Sequence, residues 1–268
     1  MSSPAFLKVL QLSDTHLFGD SFARLMGVNT YDTLAKVIDF SQSQNERPDY
    51  VLLTGDLSQD ESLQSYNRLS AAVKKYECPV LYLPGNHDNK VLMREAFFVP
   101  GSAILKSDSQ IIGSWQIIML DSKVEKRVDG RLSNSELERL DGLLAMHADK
   151  YTLICVHHHP LNIGSSWMDS IKLQNGQELF AILDRYKQVK ILACGHVHQE
   201  SQQEHKGIAV MSSPSTCVQF TPGSDDFALD ELLPGYRWFE LYEDGTFKTG
   251  VKRLNNVDIH LNREAKGY

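Results

Sequence analysis

The sequence predicts an α/β protein built around a parallel sheet. Strand and helix patterns alternate from the amino terminus in the order strand, helix, strand, helix, strand. Polar residues follow each of these strands, as expected where a parallel sheet places ligands at the carboxyl ends of its strands. The 268 residues, 42% of them hydrophobic, are enough for a sizeable core. No segment has the composition of a linker, so we expect a single domain over residues 1–268.

The first elements are defined by short apolar runs and helical spacing. Residues 6–13, 50–54 and 78–84 are apolar runs typical of buried strands. A helix is predicted to start at Asn29 or Thr30, either of which can cap it. It should end near Asn45, because Pro48 biases the preceding residue away from the helical region. A second amphipathic helix is expected over residues 63–73.

The middle of the chain continues the alternation less regularly. Strands are predicted over residues 115–120, 152–156 and 189–194. Ser133 and Glu136 form a capping box that opens a helix reaching about residue 146. A further helix is expected over residues 178–186.

The last third of the chain is predicted to be mainly antiparallel β. The segments with this pattern are residues 208–211, 236–242 and 246–252. Asp244 and Gly245 mark a hairpin turn between the last two. We therefore expect residues 199–268 to build most of a second sheet. A long ordered loop over residues 213–235, rich in proline, serine and aspartate, should lie near the site.

Charge and cysteine content narrow the classes of partner. The formal net charge of −7 makes a nucleic-acid polymer a poor partner. No apolar run approaches the roughly 20 residues of a membrane helix, and the first residues lack the basic region of a signal peptide. None of the four cysteines forms a Cys-x-x-Cys pair, which favours buried free thiols, Cys155 and Cys194 among them, in a reducing compartment. We expect a cytoplasmic protein without membrane attachment.

Five polar clusters follow apolar runs along the chain. They are Asp14-Thr15-His16, Gly55-Asp56, Gly85-Asn86-His87-Asp88, His157-His158-His159 and Gly195-His196-Val197-His198. Right-handed crossovers between parallel strands would bring such strand ends to one side of the sheet. Carboxylates, an amide and imidazoles together suit iron, manganese, zinc or cobalt.

The number of donors predicts two metal ions. The candidate ligands are Asp14, His16, Asp56, Asn86, one of the three consecutive histidines, His196 and His198. Seven ligands are too many for one tetrahedral site but fit two ions roughly 3.5–4 Å apart. Asp56 is the natural bridge, because one carboxylate offers two oxygens, and a bridging hydroxide would be the nucleophile. Asn86 supplies a neutral oxygen. His196 and His198, two residues apart on an extended segment, could reach the two different ions.

His87 is predicted to act on the substrate instead of on a metal. Its neighbour Asn86 is a ligand, so the imidazole should point elsewhere and protonate the leaving oxygen. Asp88 would orient His87 through a carboxylate–imidazole pair. The substrate phosphate is expected to be crowded by His16, Asp56, Asn86, His87 and His198.

Each cluster taken alone has a simpler explanation. Asp14 could cap a turn, Asp56 could end a strand, Asn86 could form a turn, and the three histidines could be a surface run. Only their joint occurrence favours a metal site. The remaining histidines, His147, His205 and His260, have no ligand-type neighbours and are predicted to be solvated.

The ordered set resembles the metallophosphoesterase (calcineurin-like) superfamily. The pattern Asp-x-His, Gly-Asp, Gly-Asn-His-[Asp/Glu], His, Gly-His-x-His is present in order between residues 14 and 198. This resemblance implies a four-layer αββα sandwich of two mixed sheets flanked by helices. It also implies that Asp14, His16, Asp56 and His198 hold one ion. Asp56, Asn86, His157 and His196 would hold the other, with His158 as the alternative to His157.

A narrower resemblance is to the bacterial class III 3′,5′-cyclic AMP phosphodiesterases. It is carried by residues 14–18, 25–30, 157–161, 213–220 and 234–237. It implies hydrolysis of cyclic AMP to 5′-AMP at two divalent or mixed-valence ions, with iron and manganese favoured over zinc and cobalt. The alternatives are another phosphodiesterase or phosphomonoesterase activity, and a non-catalytic scaffold of the same fold. The expected partner is a cyclic nucleotide, and a homodimer is compatible with the sequence.

Overall fold

Two β-sheets packed face to face form the centre of the protein, and helices cover their outer faces. The computed structural model describes residues 6–44, 47–255, 257–262, 264–265 and 267. The strands are β1 (Phe6–Leu12), β2 (Arg24–Leu25), β3 (Val28–Asn29), β4 (Tyr50–Thr54), β5 (Val80–Leu83), β6 (Ser109–Ile112), β7 (Trp115–Leu120), β8 (Tyr151–Val156), β9 (Val189–Cys194), β10 (Ser201–His205), β11 (Ile208–Ser212), β12 (Gln219–Phe220), β13 (Leu229–Asp230), β14 (Gly235–Tyr242) and β15 (Phe247–Arg253).

Most helices occupy connections between parallel strands, and α3 lies in the connection from the first sheet to the second. They are α1 (Thr30–Ser43), α2 (Leu63–Val73), α3 (Lys90–Phe97), α4 (Asn134–Met146), α5 (Ser166–Ser170) and α6 (Gly176–Leu183), with a 3₁₀ turn at Lys74–Tyr76. Among the described residues, no helix combines the length and the apolar character that crossing a bilayer requires.

The first sheet has the strand order β15-β14-β1-β4-β5, and the second has the order β10-β11-β9-β8-β7-β6. Strands β1, β4 and β5 are parallel, as are β7, β8, β9 and β11. The carboxyl ends of the parallel strands therefore lie at one edge of each sheet. Two short ribbons, β2–β3 and β12–β13, complete the β structure of the described chain.

The expectation that the C-terminal third builds most of a second sheet is wrong. The hairpin β14–β15 extends the first sheet, because β14 pairs antiparallel with β1 on the side away from β4. The second sheet takes most of its strands from residues 109–194, and only β10 and β11 come from the last third. Alternating hydrophobicity identified these segments as strands, but it carries no information about which edge a hairpin joins.

Three clusters of buried apolar side chains hold the four layers together. Residues from both sheets, such as Leu52, Leu81, Ile117 and Leu153, fill the space between them. One outer cluster joins the first sheet to α1, α2 and α3, and another joins the second sheet to α4 and α6. Burial of apolar surface on both faces of each sheet is the main force that holds such layers together. The four-layer αββα class is thus confirmed, while the single-domain organisation stays a prediction.

The helix starts follow local capping. The side chain of Asn29 caps α1 by accepting the Asp32 N–H, and Ser133 caps α4 by accepting the Glu136 N–H at 3.1 Å. In a capping box the Glu136 side chain would also accept the backbone N–H of Ser133, but here it makes other contacts. The Glu136 carboxylate accepts the Asp121 N–H and pairs with Arg139, which fastens α4 to the end of β7.

Candidate metal centre

The five polar clusters meet where the strands of both sheets end. Asp14, Asp56 and Asn86 follow β1, β4 and β5 of the first sheet. The histidines follow β8 and β9 of the second sheet. Four sets of side chains have donor atoms within 4.8 Å of one another: Asp14, His16 and His198; His16, Asp56 and His87; Asp14, Asp56 and His157; and His157, His158 and His196. These sets bring together six of the seven predicted ligands and His87, and the seventh ligand, Asn86, places its Oδ1 3.3 Å from His157 Nε2.

His16 and His198 are oriented by hydrogen bonds on their outer nitrogens. His16 Nδ1 lies 2.7 Å from Gln59 Oε1, and His198 Nδ1 lies 2.9 Å from the Val218 carbonyl oxygen. Both oxygens accept, so each Nδ1 carries a proton and each ring turns its Nε2 inward. The two Nε2 atoms lie only 3.1 Å apart. A cation between them would stabilise this arrangement.

Asp56 occupies the position of a bridge. Its Oδ1 accepts the His87 N–H at 2.9 Å. Its Oδ2 lies 3.3 Å from His157 Nε2 and 3.8 Å from His16 Nε2. One carboxylate oxygen thus faces the imidazoles of both predicted metal sites, as a bridging ligand must.

The geometry favours His157 over His158 as the ligand. His157 Nδ1 donates to the Thr54 carbonyl at 2.8 Å, and its Nε2 lies 3.3 Å from Asn86 Oδ1. Both ring nitrogens of His158 are already engaged, with the Ser122 hydroxyl at 2.8 Å and the Val128 carbonyl at 3.2 Å. His158 therefore anchors the loop after β7, while His157 faces the site.

His196 presents a buried nitrogen to the site. Its backbone N–H donates to the Asp14 carboxylate at 3.0 Å. Its Nε2 has no hydrogen-bond partner among the residues that the structure describes, and its ring lies 5.0 Å from that of His157. A buried polar atom without a partner is costly unless a ligand satisfies it. The donor set therefore fits a pair of transition-metal ions.

The backbone at the site is held in an unusual conformation. Positive φ angles of 43° to 69° occur at Asp14, His16, Asp56, His196 and His198. Such conformations cost residues with a Cβ on the order of 1–3 kcal/mol each and cluster at functional sites. No sequence pattern predicts this feature beyond the residue types, since aspartate and histidine tolerate positive φ better than most residues.

Glycines allow the ligand turns to approach one another closely. A Cβ on Gly85 would lie 2.1 Å from Asp56 Oδ1, and one on Gly195 would lie 2.2 Å from Ser13 Oγ. These positions have no room for any side chain, which explains why glycine precedes Asn86 and His196.

Burial and mutual charge set the protonation of the metal-free site. Burial lowers the pKa of His16 to about 3, and it also lowers the pKa values of His158 and His196. These rings are neutral, as metal ligands must be. For His157 burial acts in the same direction, but the Asp56 and Asp14 carboxylates prevail and raise its pKa to about 9.

His87 and Asn86 lie at the open side of the site. Both are partly exposed, whereas His16, His157 and His198 are fully buried. The His87 ring stands edge-on to that of His16, with ring centroids 5.2 Å apart. An incoming substrate would therefore meet His87 before the buried imidazole ligands.

Asp88 acts on the backbone, which corrects its predicted role. Its carboxylate accepts the N–H groups of Leu57, Ser58 and Gly85 and the hydroxyl of Tyr66, at 2.8 to 3.2 Å. It thereby ties the loop that carries Asp56 to the loop that carries Asn86. Burial raises the pKa of Asp88 to about 7, and the charge of Asp56 acts in the same direction.

Several positioning groups were missed by sequence reasoning. They are Gln59 and the carbonyls of Thr54 and Val218, for which no pattern exists in the sequence. Part of the 213–235 segment lies against the site, where the Ser215 hydroxyl donates to the Asp14 carbonyl at 2.7 Å. His205 lies outside the cluster but is less solvated than predicted, because its Nε2 lies 2.8 Å from Asp184 Oδ1 and its ring packs on that of Phe180.

Comparison with known proteins points to one family. The family model for calcineurin-like phosphoesterases matches residues 7–200. The 3′,5′-cyclic adenosine monophosphate phosphodiesterase CpdA of Pseudomonas aeruginosa is 40% identical over 267 residues, covering 100% of this chain and 97% of that protein. The protein of the same name from Escherichia coli K12 is 38% identical over 269 residues, with the same coverage.

Solved structures share the fold at low sequence identity. A dimetal phosphatase from Danio rerio superimposes with a TM-score of 0.65 at 15% identity, covering 92% of this chain and 99% of that chain. The purple acid phosphatase PPD1 from yellow lupin gives a TM-score of 0.70 at 14% identity, covering 97% of this chain and 53% of that chain.

Metal uptake by the metal-free protein should tighten as the pH rises toward about 9. The His157 imidazolium must lose its proton before Nε2 can bind an ion, so a raised pKa weakens binding at lower pH. Between about pH 7 and about pH 8 we expect the affinity for Mn²⁺ to rise roughly tenfold. Calorimetric titration of the metal-free protein measures this slope. The exposed-site variant His260→Gln should show the same slope, and a pH-independent affinity would contradict the prediction.

Replacing Asp88 by asparagine should weaken metal binding without removing a ligand. The amide would turn one accepting oxygen into a donor that faces backbone N–H groups, so the Asp56 and Asn86 loops would separate. We expect Mn²⁺ affinity to fall by about 10- to 100-fold, measured at about pH 8.5, above the raised pKa of Asp88. Asp60→Asn, the same change at a neighbouring exposed position, is the control. Equal affinities for the two variants would refute the positioning role.

Proposed function

The chain belongs to the calcineurin-like phosphoesterase family, and on this basis we propose that it hydrolyses 3′,5′-cyclic AMP to 5′-AMP at a two-metal centre. The observation that carries the proposal is the complete donor set around Asp56 Oδ2, which faces His16 on one side and His157 on the other. The full-length similarity to the CpdA phosphodiesterases supports cyclic AMP as the substrate.

The ligand assignment divides the donors into two sets that share Asp56. Asp14, His16 and His198 lie together around one position, and Asn86, His157 and His196 lie around the other. We propose iron or manganese as the natural ions, with zinc or cobalt as alternatives, because oxygen and imidazole donors accept all four. When bound, such ions lower the pKa of water toward neutrality and neutralise charge on phosphate oxygens.

The protein's own residues orient the phosphate and handle the proton. We propose that His16, Asp56, Asn86, His87 and His198 surround the substrate phosphate, because their side chains are grouped around the predicted metal positions. Hydrolysis forms a bond from a water oxygen to phosphorus and breaks the bond from phosphorus to the 3′ oxygen. His87 is placed to donate a proton to that departing oxygen, because it is partly exposed while the predicted imidazole ligands are buried.

Asp56 also fixes His87. The carboxylate accepts the His87 N–H through Oδ1 while Oδ2 faces the imidazoles. The backbone that carries the proposed acid is thereby tied to the proposed bridging ligand.

We also propose a reducing, cytoplasmic location. Cys155, Cys194 and Cys217 are buried free thiols, and burial raises the pKa of Cys194 to about 12. Such thiols are inert packing groups.

Metal-dependent cleavage of cyclic AMP is the direct test of the activity. The Mn²⁺-loaded protein should convert cyclic AMP to 5′-AMP, and a chelator should abolish the reaction. The substrate panel should include cyclic GMP, 2′,3′-cyclic nucleotides and p-nitrophenyl phosphate esters, each compared by kcat/KM. A clear preference for a non-cyclic ester would replace the cyclic-nucleotide assignment by a broader phosphoesterase activity. No turnover of any ester by the metal-loaded protein would favour a scaffold.

Removal of the His87 imidazole should separate chemistry from metal binding. We expect His87→Ala to retain both ions by elemental analysis and to lose about 10²- to 10⁴-fold in kcat, the usual contribution of a general acid. His260→Ala, a change at an exposed histidine, should keep full activity. Full turnover by His87→Ala would refute the acid role.

A further inference from the structure

A second cavity lies beside the metal centre, at the carboxyl ends of β5 and β7. Its volume is about 550 Å³, within the range of roughly 300–1,000 Å³ that small-molecule sites occupy. It lies between α3 and residues 106–108. None of the seven predicted metal ligands lines it, and neither does His87. The cavity is therefore a different site from the proposed catalytic one.

The cavity is lined by three cations and three carboxylates, but Arg139 from outside the lining pairs with two of the carboxylates and leaves a positive excess. Lys90 is neutralised by Asp121 at 3.0 Å. The carboxylates of Glu136 and Asp108 are both paired with Arg139, at 2.6 and 3.3 Å.

Two further cations of the lining, Arg94 and Lys106, form no ion pair with a carboxylate in the part of the chain that the structure describes. A guanidinium and an ammonium that line the same cavity suit a phosphate group, which accepts several charge-assisted hydrogen bonds.

The same cavity has aromatic and apolar walls. Tyr82 and Phe98 line it with ring centroids 6.3 Å apart, and the Lys106 ammonium lies 5.5 Å from the Phe98 ring centre. Met93 and Met119 close its inner side. A flat aromatic ring could pack against these walls while an attached anion reaches Arg94 and Lys106.

Two short connections lead from the cavity to the metal centre. Lys90 begins α3 directly after the segment that carries Asn86 and Asp88. Asp121 precedes Lys123, whose ammonium donates to the Asn86 carbonyl at 2.9 Å. A ligand that moved either member of the Lys90–Asp121 pair would change the position of the Asn86 loop.

We propose that this cavity binds a nucleoside monophosphate, with the phosphate at Arg94 and Lys106 and the base against Tyr82 and Phe98. Binding would act on the metal centre through the Lys90–Asp121 pair. Binding of the nucleotide in this cavity does not depend on the proposed reaction. Its effect on turnover rests on that reaction, since the 5′-nucleotide product would then regulate the enzyme that forms it.

Equilibrium dialysis of the metal-loaded protein against radiolabelled AMP tests the site. The double variant Arg94→Gln/Lys106→Gln should bind one AMP fewer per chain than the wild type, or bind it at least about tenfold more weakly. The matched control Lys75→Gln/Arg185→Gln removes the same charge from two exposed ion pairs elsewhere and should keep the wild-type stoichiometry. Equal binding by all three proteins would overturn the proposal.

Two further outcomes bear on the ligand and on its effect. Inorganic phosphate that displaces this AMP as strongly as unlabelled AMP does would overturn the assignment of a nucleotide. If the chain hydrolyses cyclic AMP, inhibition by AMP should be mixed in the wild type and purely competitive in the Arg94→Gln/Lys106→Gln variant. An unchanged inhibition pattern would overturn the coupling. If the chain does not hydrolyse cyclic AMP, the binding stoichiometry still tests the nucleotide site.

Discussion

Hydrogen bonds from imidazole Nδ1 atoms to fixed oxygens determine the geometry of the metal centre. Each of these bonds places the proton on the outer nitrogen and turns the lone pair of Nε2 toward the centre. The bond from His157 to the Thr54 carbonyl also crosses from the second sheet to the first. It requires Gly55, since a Cβ there would lie 2.4 Å from His157 Nδ1. A glycine at the end of one strand thus determines how a histidine from another sheet is aimed.

Rigid support on all sides keeps the strained turns in place. The positive φ angles at the predicted ligands would relax in an isolated loop. Here the Asp88 carboxylate holds two of the loops from below, and the Ser215 hydroxyl holds the Asp14 carbonyl from the opposite side. These contacts are buried, so water does not compete for them, and each lost bond would leave an unsatisfied group. The turns therefore need no metal to be drawn together.

The sequence predicts the elements and the identity of the site better than its supporting contacts. Asn29 and Ser133 mark helix starts because capping depends on neighbouring residues. The ligand types and their order between residues 14 and 198 indicate a two-metal centre because metal chemistry demands those atoms. The partner of the β14–β15 hairpin was mispredicted, since edge pairing depends on the whole sheet. The role predicted for Asp88 was also wrong, because the backbone N–H groups that can donate to a buried carboxylate depend on how distant loops pack.

The division of the donors between the two sheets has a mechanical consequence. The carboxylate ligands, Asn86 and His16 follow strands of the first sheet. The imidazole ligands His157, His196 and His198 follow strands of the second. The apolar filling between the sheets resists separation but has no preferred direction of sliding, so their mutual alignment at this edge depends on polar contacts such as those from His157 Nδ1 to the Thr54 carbonyl and from the His196 N–H to the Asp14 carboxylate. Metal ions coordinated by side chains of both sheets would link the two sheets at this edge. The alignment that the chemistry needs would then be enforced by the same atoms that perform it.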